Sequence, residues 1–224
     1  MSGTSLFKPK LLSKYHGRLR GRNLNRQSMN LLPQYLFDHC VYKCYKDYKV
    51  WLDIGCGKGD FIFSQSIYSK EHDEKYCYVG SEIYLTAISK MIRRISDNNL
   101  NDIYIFPHDI RYLLSEEYMF DIITILFPDP WHKRRHHKRR IINAQFIKSL
   151  FSHLSQQGYL IIITDNQSYY ENIQLLINTE NIKYNFVNKD HSIISRVFDN
   201  LNTVFYKKAL FNGNKIFSIF LQNV

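Results

Sequence analysis

Lys49-Val50-Trp51-Leu52-Asp53-Ile54-Gly55-Cys56-Gly57-Lys58-Gly59 is the stretch on which the fold turns. Its first half is a short apolar run, the pattern of a strand buried inside a parallel sheet. Its second half carries glycine at every other position, which lets the backbone turn tightly and come close to a ligand. Residues 60–69 then read as a helix. Strand, glycine turn and helix in succession make the first unit of an α/β protein.

The alternation continues toward the C-terminus. Strands are predicted at Tyr76–Ser81, Ile103–Phe106, 120–127 and 159–164. Helices are predicted at 84–96, where Leu85, Ile88, Met91, Ile92 and Ile95 fall at helical spacing, at 139–154, ending near Gly158, and at 167–178. The tail reads as two strands, 204–210 and 215–222, joined by Asn212-Gly213-Asn214, a hairpin signal. The fold class is therefore α/β: a doubly wound, mostly parallel sheet with a C-terminal antiparallel hairpin at its edge. One domain over residues 46–224, preceded by a basic N-terminal arm over 1–45, is the simplest organisation.

Composition narrows the class. The 224 residues are 45% hydrophobic, ample for a core. The longest apolar runs fall far short of the roughly 20 residues needed to span a bilayer, so a soluble, cytoplasmic protein with no membrane partner is expected. Cysteines at 40, 44, 56 and 77 include no second Cys or His pair at zinc spacing, and no metal is expected. The net charge of +10 fits a polyanionic partner such as nucleic acid, or simply a basic proteome. Lys8, Lys10, Lys14, Arg18, Arg20, Arg22 and Arg26 all precede the first acid, Asp38. That start reads either as a transit peptide or as a basic arm that orders on RNA.

The acids carry more information. Asp53, Glu82, Asp109, Asp129 and Asp165 each fall at or just after the carboxyl end of an expected parallel strand, the edge where ligands of such sheets bind. The spacing Gly55-x-Gly57-x-Gly59 after Asp53 is not the G-x-G-x-x-G of a dinucleotide site, which disfavours a nicotinamide oxidoreductase. It suits S-adenosylmethionine, which has no pyrophosphate to seat. Glu82 is placed to accept bonds from two ribose hydroxyls.

Phe127-Pro128-Asp129-Pro130-Trp131-His132-Lys133-Arg134-Arg135-His136-His137-Lys138-Arg139-Arg140 follows the fourth strand. Two prolines hold Asp129 on a restricted, non-helical path. Six Lys/Arg and three His in the nine residues from His132 to Arg140 create a positive field suited to phosphates. A run alone would pass for a solvated face. A run attached to a rigid acid at the ligand edge points to chemistry on nucleic acid.

These residues resemble the tRNA (guanine-N7)-methyltransferase family. Pro128-Asp129-Pro130-Trp131-His132-Lys133, with His136, Lys138, Arg139, Arg140 and Ile141, is similar to its signature. Asp53-Ile54-Gly55-Cys56-Gly57 resembles its cofactor loop, Gly80-Ser81-Glu82 its ribose-binding segment, Thr164-Asp165 its substrate acid, and Gly21-Arg22 with Gln27 an element preceding its fold. The resemblance implies a Rossmann-like class I methyltransferase with a seven-stranded sheet. It further implies methyl transfer from S-adenosylmethionine to N7 of a variable-loop guanine in tRNA, by a monomer or homodimer. Cofactor contacts would then fall to Asp53, Gly55, Gly57, Glu82, Asp109 and Asp129, with Asp129 also catalytic. Substrate contacts would fall to Lys133, Asp165, Thr203 and Tyr206, and RNA contacts to Arg22, Arg135, His136, Arg139 and Arg140. The chain departs from the family pattern where Tyr206 replaces a glutamate and Asn214 a histidine. The alternative that this departure raises is a catalytically silent RNA-binding member of the same fold.

Overall fold

The computed structural model describes residues 25–37, 48–180, 182–187 and 191–224. The expected arm therefore lies largely outside the described residues, and Arg22 with it. The part that is described, 25–37, packs on the domain. Helix α1 (Arg26–Leu31) is capped by the Asn25 side chain, and Ser28 Oγ lies 2.8 Å from Ser89 Oγ. Phe37 is fully buried beside Tyr118 and Phe120.

The elements that follow are β1 (Lys49–Ile54), α2 (Asp60–Glu71), β2 (Tyr76–Ser81), α3 (Leu85–Asp97), β3 (Ile103–Phe106), α4 (Ile110–Leu113), β4 (Phe120–Leu126), a 3-10 segment (Arg134–Arg139), α5 (Ala144–Ser152), β5 (Leu154–Thr164), α6 (Gln167–Thr179), β6 (Tyr184–Phe186), α7 (Ser192–Asp199), α8 (Val204–Phe211) and β7 (Phe217–Asn223). The seven strands form one sheet in the order β3-β2-β1-β4-β5-β7-β6. The first five are parallel, and β7 runs antiparallel to both β5 and β6. The chain builds outward from β1 to β3, then returns to place β4 on the other side of β1. That reversal leaves a crevice above the carboxyl ends of β1 and β4.

Both faces of the sheet are buried, which explains why Val50, Trp51 and Leu52 are apolar in succession. Val50, Leu52 and Ile54 point to one face with Phe146, Ile147, Leu150 and Tyr169 of α5 and α6. Trp51 points to the other with Phe61, Ile88, Met91, Ile92 and Val197 of α2, α3 and α7. Arg196 of α7 is buried on that second face. Its guanidinium donates to Gln65 Oε1 (2.7 Å), Ser69 Oγ (2.8 Å) and Tyr78 OH (2.7 Å), pairs with Glu74, and lies over the rings of Trp51, Tyr68 and Tyr76. Every face of the cation is satisfied, so it rivets α7 to the sheet.

Three expectations need correction. Residues 204–210 form helix α8, not a strand. Thr203 caps its start, accepting from Tyr206 N–H at 3.1 Å. Asn212-Gly213-Asn214 closes its end: Gly213 adopts φ 66°, its N–H returns to Leu210 O, and Asn214 N–H returns to Ala209 O. That is a Schellman closure, which uses the same left-handed glycine as a hairpin turn. The antiparallel pair at the C-terminal edge is present, but its strands are β6 and β7. The helix expected over 139–154 is confined to Ala144–Ser152, capped by Asn143, and Gly158 sits inside β5, which begins at Leu154.

Candidate active site at the switch point of the sheet

The glycine turn after β1 forms the first wall. Gly55, Gly57 and Gly59 have φ of 76°, 59° and 77°, a region that other residues enter at a cost of roughly 1–2 kcal/mol each. A Cβ placed on Gly55 or Gly57 would meet nothing within 4 Å, so the loop faces open space above the crevice. Gly57 N–H donates to Glu82 Oε2 at 3.0 Å, while Ile83 and Tyr84 N–H both donate to Glu82 Oε1 at 2.8 Å. Three backbone donors thus fix the carboxylate at the tip of β2, and a carboxylate so bonded keeps acceptor capacity for a ligand.

Asp53 lies beneath this loop, 2% exposed. Burial raises its pKa to about 7; a 2.7 Å hydrogen bond from Thr124 Oγ1 opposes the rise and the nearby Glu82 charge adds to it. Thr124 is in turn reached by Trp51 Nε1–H at 3.3 Å. Thr124 was not among the expected site residues. A polar residue in a doubly buried strand, in register with Asp53, is the signal that finds it. Asp109 sits at the tip of β3 as the cap of α4, with its carboxylate paired to Arg111. The structure thus shows this expected cofactor contact serving as a helix cap and engaged by an arginine.

The turn after β4 forms the second wall. Phe127 and Trp131, neither of them glycine, adopt φ of 52° and 46° and bracket Pro128-Asp129-Pro130. Asp129 at the apex is exposed. Arg140 reaches back under the turn, donating from Nε to Pro130 O at 2.8 Å and stacking on Tyr169 with 4.5 Å to the ring centroid. At 6% exposure Arg140 is a structural tie of the turn, which corrects its expected place among RNA-contacting residues. Lys133, Arg134, Arg135 and Lys138 are exposed along the 3-10 segment. Arg139 lies over Trp131 (5.0 Å to the centroid), and its Nε has no hydrogen-bond partner among the described residues. His136 meets Trp131 edge-on; lost hydration and the surrounding Arg139, Arg135, Lys133 and Lys138 lower its pKa, favouring the neutral imidazole.

The C-terminal elements close the crevice. Asp165, just past β5, accepts from Asn214 Nδ2 at 2.9 Å, and Asn166 Nδ2 lies 3.3 Å from His132 Nδ1. The Tyr206 ring packs 6.2 Å from that of Phe127. The structure therefore brings Asp129, Asp165 and Tyr206 to one place, although Thr203 spends its hydroxyl on the α8 cap. Asn214 and Phe127 were not singled out as site residues. Both lie next to a glycine or proline turn whose three-dimensional path is not encoded locally.

A family model described as "Putative methyltransferase" matches residues 47–219. Among solved structures, the 30S ribosomal A1408 methyltransferase of an uncultured bacterium superposes with TM-score 0.56 at 16% identity, over 84% of this chain and 93% of that one. A Streptococcus mutans protein described as a putative methyltransferase and solved in complex with SAH superposes with TM-score 0.50 at 10% identity, over 92% and 100%. Sheet order and glycine loop together define a class I methyltransferase fold. The chain is 33% identical over 223 residues to the tRNA (guanine-N(7)-)-methyltransferase of Buchnera aphidicola subsp. Baizongia pistaciae, covering 92% of this chain and 88% of the relative. A Neorickettsia sennetsu protein of the same name is 33% identical over 170 residues, 75% of this chain and 76% of that one. The chain belongs to the tRNA (guanine-N7)-methyltransferase family. A longer "Bifunctional methyltransferase" of Rickettsia felis also matches at 30% identity, with 94% of this chain spanning 40% of its length.

Proposed function

We propose that this chain transfers a methyl group from S-adenosylmethionine to N7 of a guanine in the tRNA variable loop. The observation that carries the reading is the turn after β4: an exposed carboxylate, Asp129, stands between the glycine loop and a run of exposed cations. The silent alternative is not favoured, because relatives matched over most of their length carry the names of enzymes.

The residues present fit the cofactor. The open glycine loop suits its amino acid portion, Glu82 its ribose hydroxyls, and Asp53 its ammonium group, with Asp109 at the adenine end. S-adenosylmethionine, when bound, supplies a methyl on a positively charged sulfur and leaves as a neutral thioether once the guanine N7 lone pair has taken that methyl. Guanine N7 has no proton to lose, so the protein needs no strong base; its task is to place the base and stabilise charge. The guanine becomes cationic, and the carboxylates of Asp129 and Asp165 stabilise that charge as it develops. Asn214 holds Asp165 in place, and Tyr206 with Phe127 borders the base. Lys133 and Arg135 lie along the RNA backbone, with His136 as an uncharged contact and Arg139 beside them over Trp131. The basic residues of 1–45, including Arg22, serve as an RNA-binding arm ahead of the domain at 46–224. No described helix is long and apolar enough to cross a membrane. A cytoplasmic monomer or homodimer completes the reading.

The test is incubation with labelled S-adenosylmethionine and unmodified tRNA, followed by nucleoside analysis. Label in 7-methylguanosine is expected. Label in a different nucleoside, or none with cofactor bound, would overturn the assignment.

A further inference from the structure

Helix α8 has an outer face that the fold leaves unused. Its buried side is Ala209 with Tyr206 half-buried beside it. Opposite them, Val204, Lys207, Lys208 and Phe211 fall at i, i+3, i+4 and i+7, one stripe along the helix. Phe211 is 91% exposed, and Phe205, on the flank, 59%. Two aromatics so exposed on an eight-residue helix cost solubility without serving the core. The helix has no acid along its length, and Lys215 follows it.

Both ends of α8 are tied to the site. Tyr206 in its first turn packs on Phe127, and Asn214 just past its last turn donates to Asp165 at 2.9 Å. The helix is therefore anchored beside the place where the base is proposed to sit, with the exposed stripe on its opposite side. Aromatic faces interleaved with lysines match a single-stranded nucleic acid, whose bases stack while its phosphates pair with cations.

We infer that the outer face of α8 is a stacking platform for the unpaired nucleotides that flank the target guanine, with Phe205 and Phe211 under the bases and Lys207 and Lys208 against the backbone. This rests on the RNA-methylating role proposed above. A platform beside the site would hold the splayed loop so that only one base enters.

The test compares the whole protein with Phe205→Ser/Phe211→Ser, the aromatic replacement Phe211→Tyr, and Lys207→Ala/Lys208→Ala, using unmodified tRNA transcript. The serine pair is expected to weaken tRNA affinity and raise KM, by roughly 5- to 150-fold for each ring removed. Its affinity for S-adenosylmethionine by calorimetry, its melting temperature and its salt slope should stay unchanged. Phe211→Tyr should keep wild-type affinity. The lysine pair should instead flatten the dependence of log affinity on log salt by roughly 1.4–1.8. Unchanged KM in the serine pair while the wild type methylates tRNA overturns the platform and spares the parent reading. Loss of a concentration-dependent dimer in that pair, with RNA affinity intact, assigns the face to a second copy and also overturns it. A wild type that binds no tRNA overturns both.

Discussion

Asp129 and Asp53 are acids of the same crevice in opposite surroundings. Asp129 is exposed on a turn whose path the chain has already set. Asp129→Ala is expected to lower kcat by about 100-fold or more while tRNA affinity changes by less than about threefold. Parallel loss of turnover and binding would show that the carboxylate only holds RNA. Asp53 has its pKa raised to about 7 by burial. Its protonated form suits the ligand-free fold, so its contribution to stability is full below about pH 4, the unfolded value, and is lost as pH rises through about 7. Melting temperature of the ligand-free protein should therefore decline across that window, and Asp53→Asn should flatten the decline. An identical slope in the variant would assign it to other groups.

At the scale of elements, what was legible depended on whether one interaction decided the outcome. Interior parallel strands were readable because both faces are dry, so apolar runs such as 160–163 have a single reading. The turn after β1 was readable because alternate glycines have few other uses. Helix α8 was not, since Asn212-Gly213-Asn214 supplies a left-handed residue that serves a hairpin or a helix end equally well. Tertiary contact decided it, through Tyr206 on Phe127. Nor was Arg140 separable from Arg134 and Arg135 within one basic run; only the approach of Tyr169 and the Pro130 carbonyl turns it inward. Arg140→Ala leaves that carbonyl without its donor, at a cost of about 1–3 kcal/mol. In a chain of this length that is a fall of roughly 2–12 °C in melting temperature. Turnover should fall as the turn loosens, with the salt dependence of tRNA binding unchanged. A slope smaller by about 0.9 would return Arg140 to the RNA surface.

For the whole molecule, charge and shape divide the work. The net charge is +10, yet the crevice collects Asp53, Glu82, Asp129 and Asp165. Cations lie along the segment beside it, where they draw in a polyanion without entering the chemistry. Affinity for tRNA should fall steeply with salt, with a log–log slope of about −3 or steeper if Lys133, Arg134, Arg135 and Lys138 all meet phosphates. Replacing Arg134 and Arg135 by alanine should reduce that slope by roughly 1.4–1.8. A flat salt response in the wild type would reject the segment as the phosphate contact.

The left-handed backbone at Phe127 and Trp131 bears on the timing of recognition. Side chains other than glycine resist that conformation, and the fold holds two of them in it. The work of shaping the turn is thus completed when the chain folds, and arriving RNA does not repeat it. A catalytic surface set in advance binds its substrate by docking rather than by remodelling, and mixing experiments should follow one phase whose rate rises linearly with tRNA concentration.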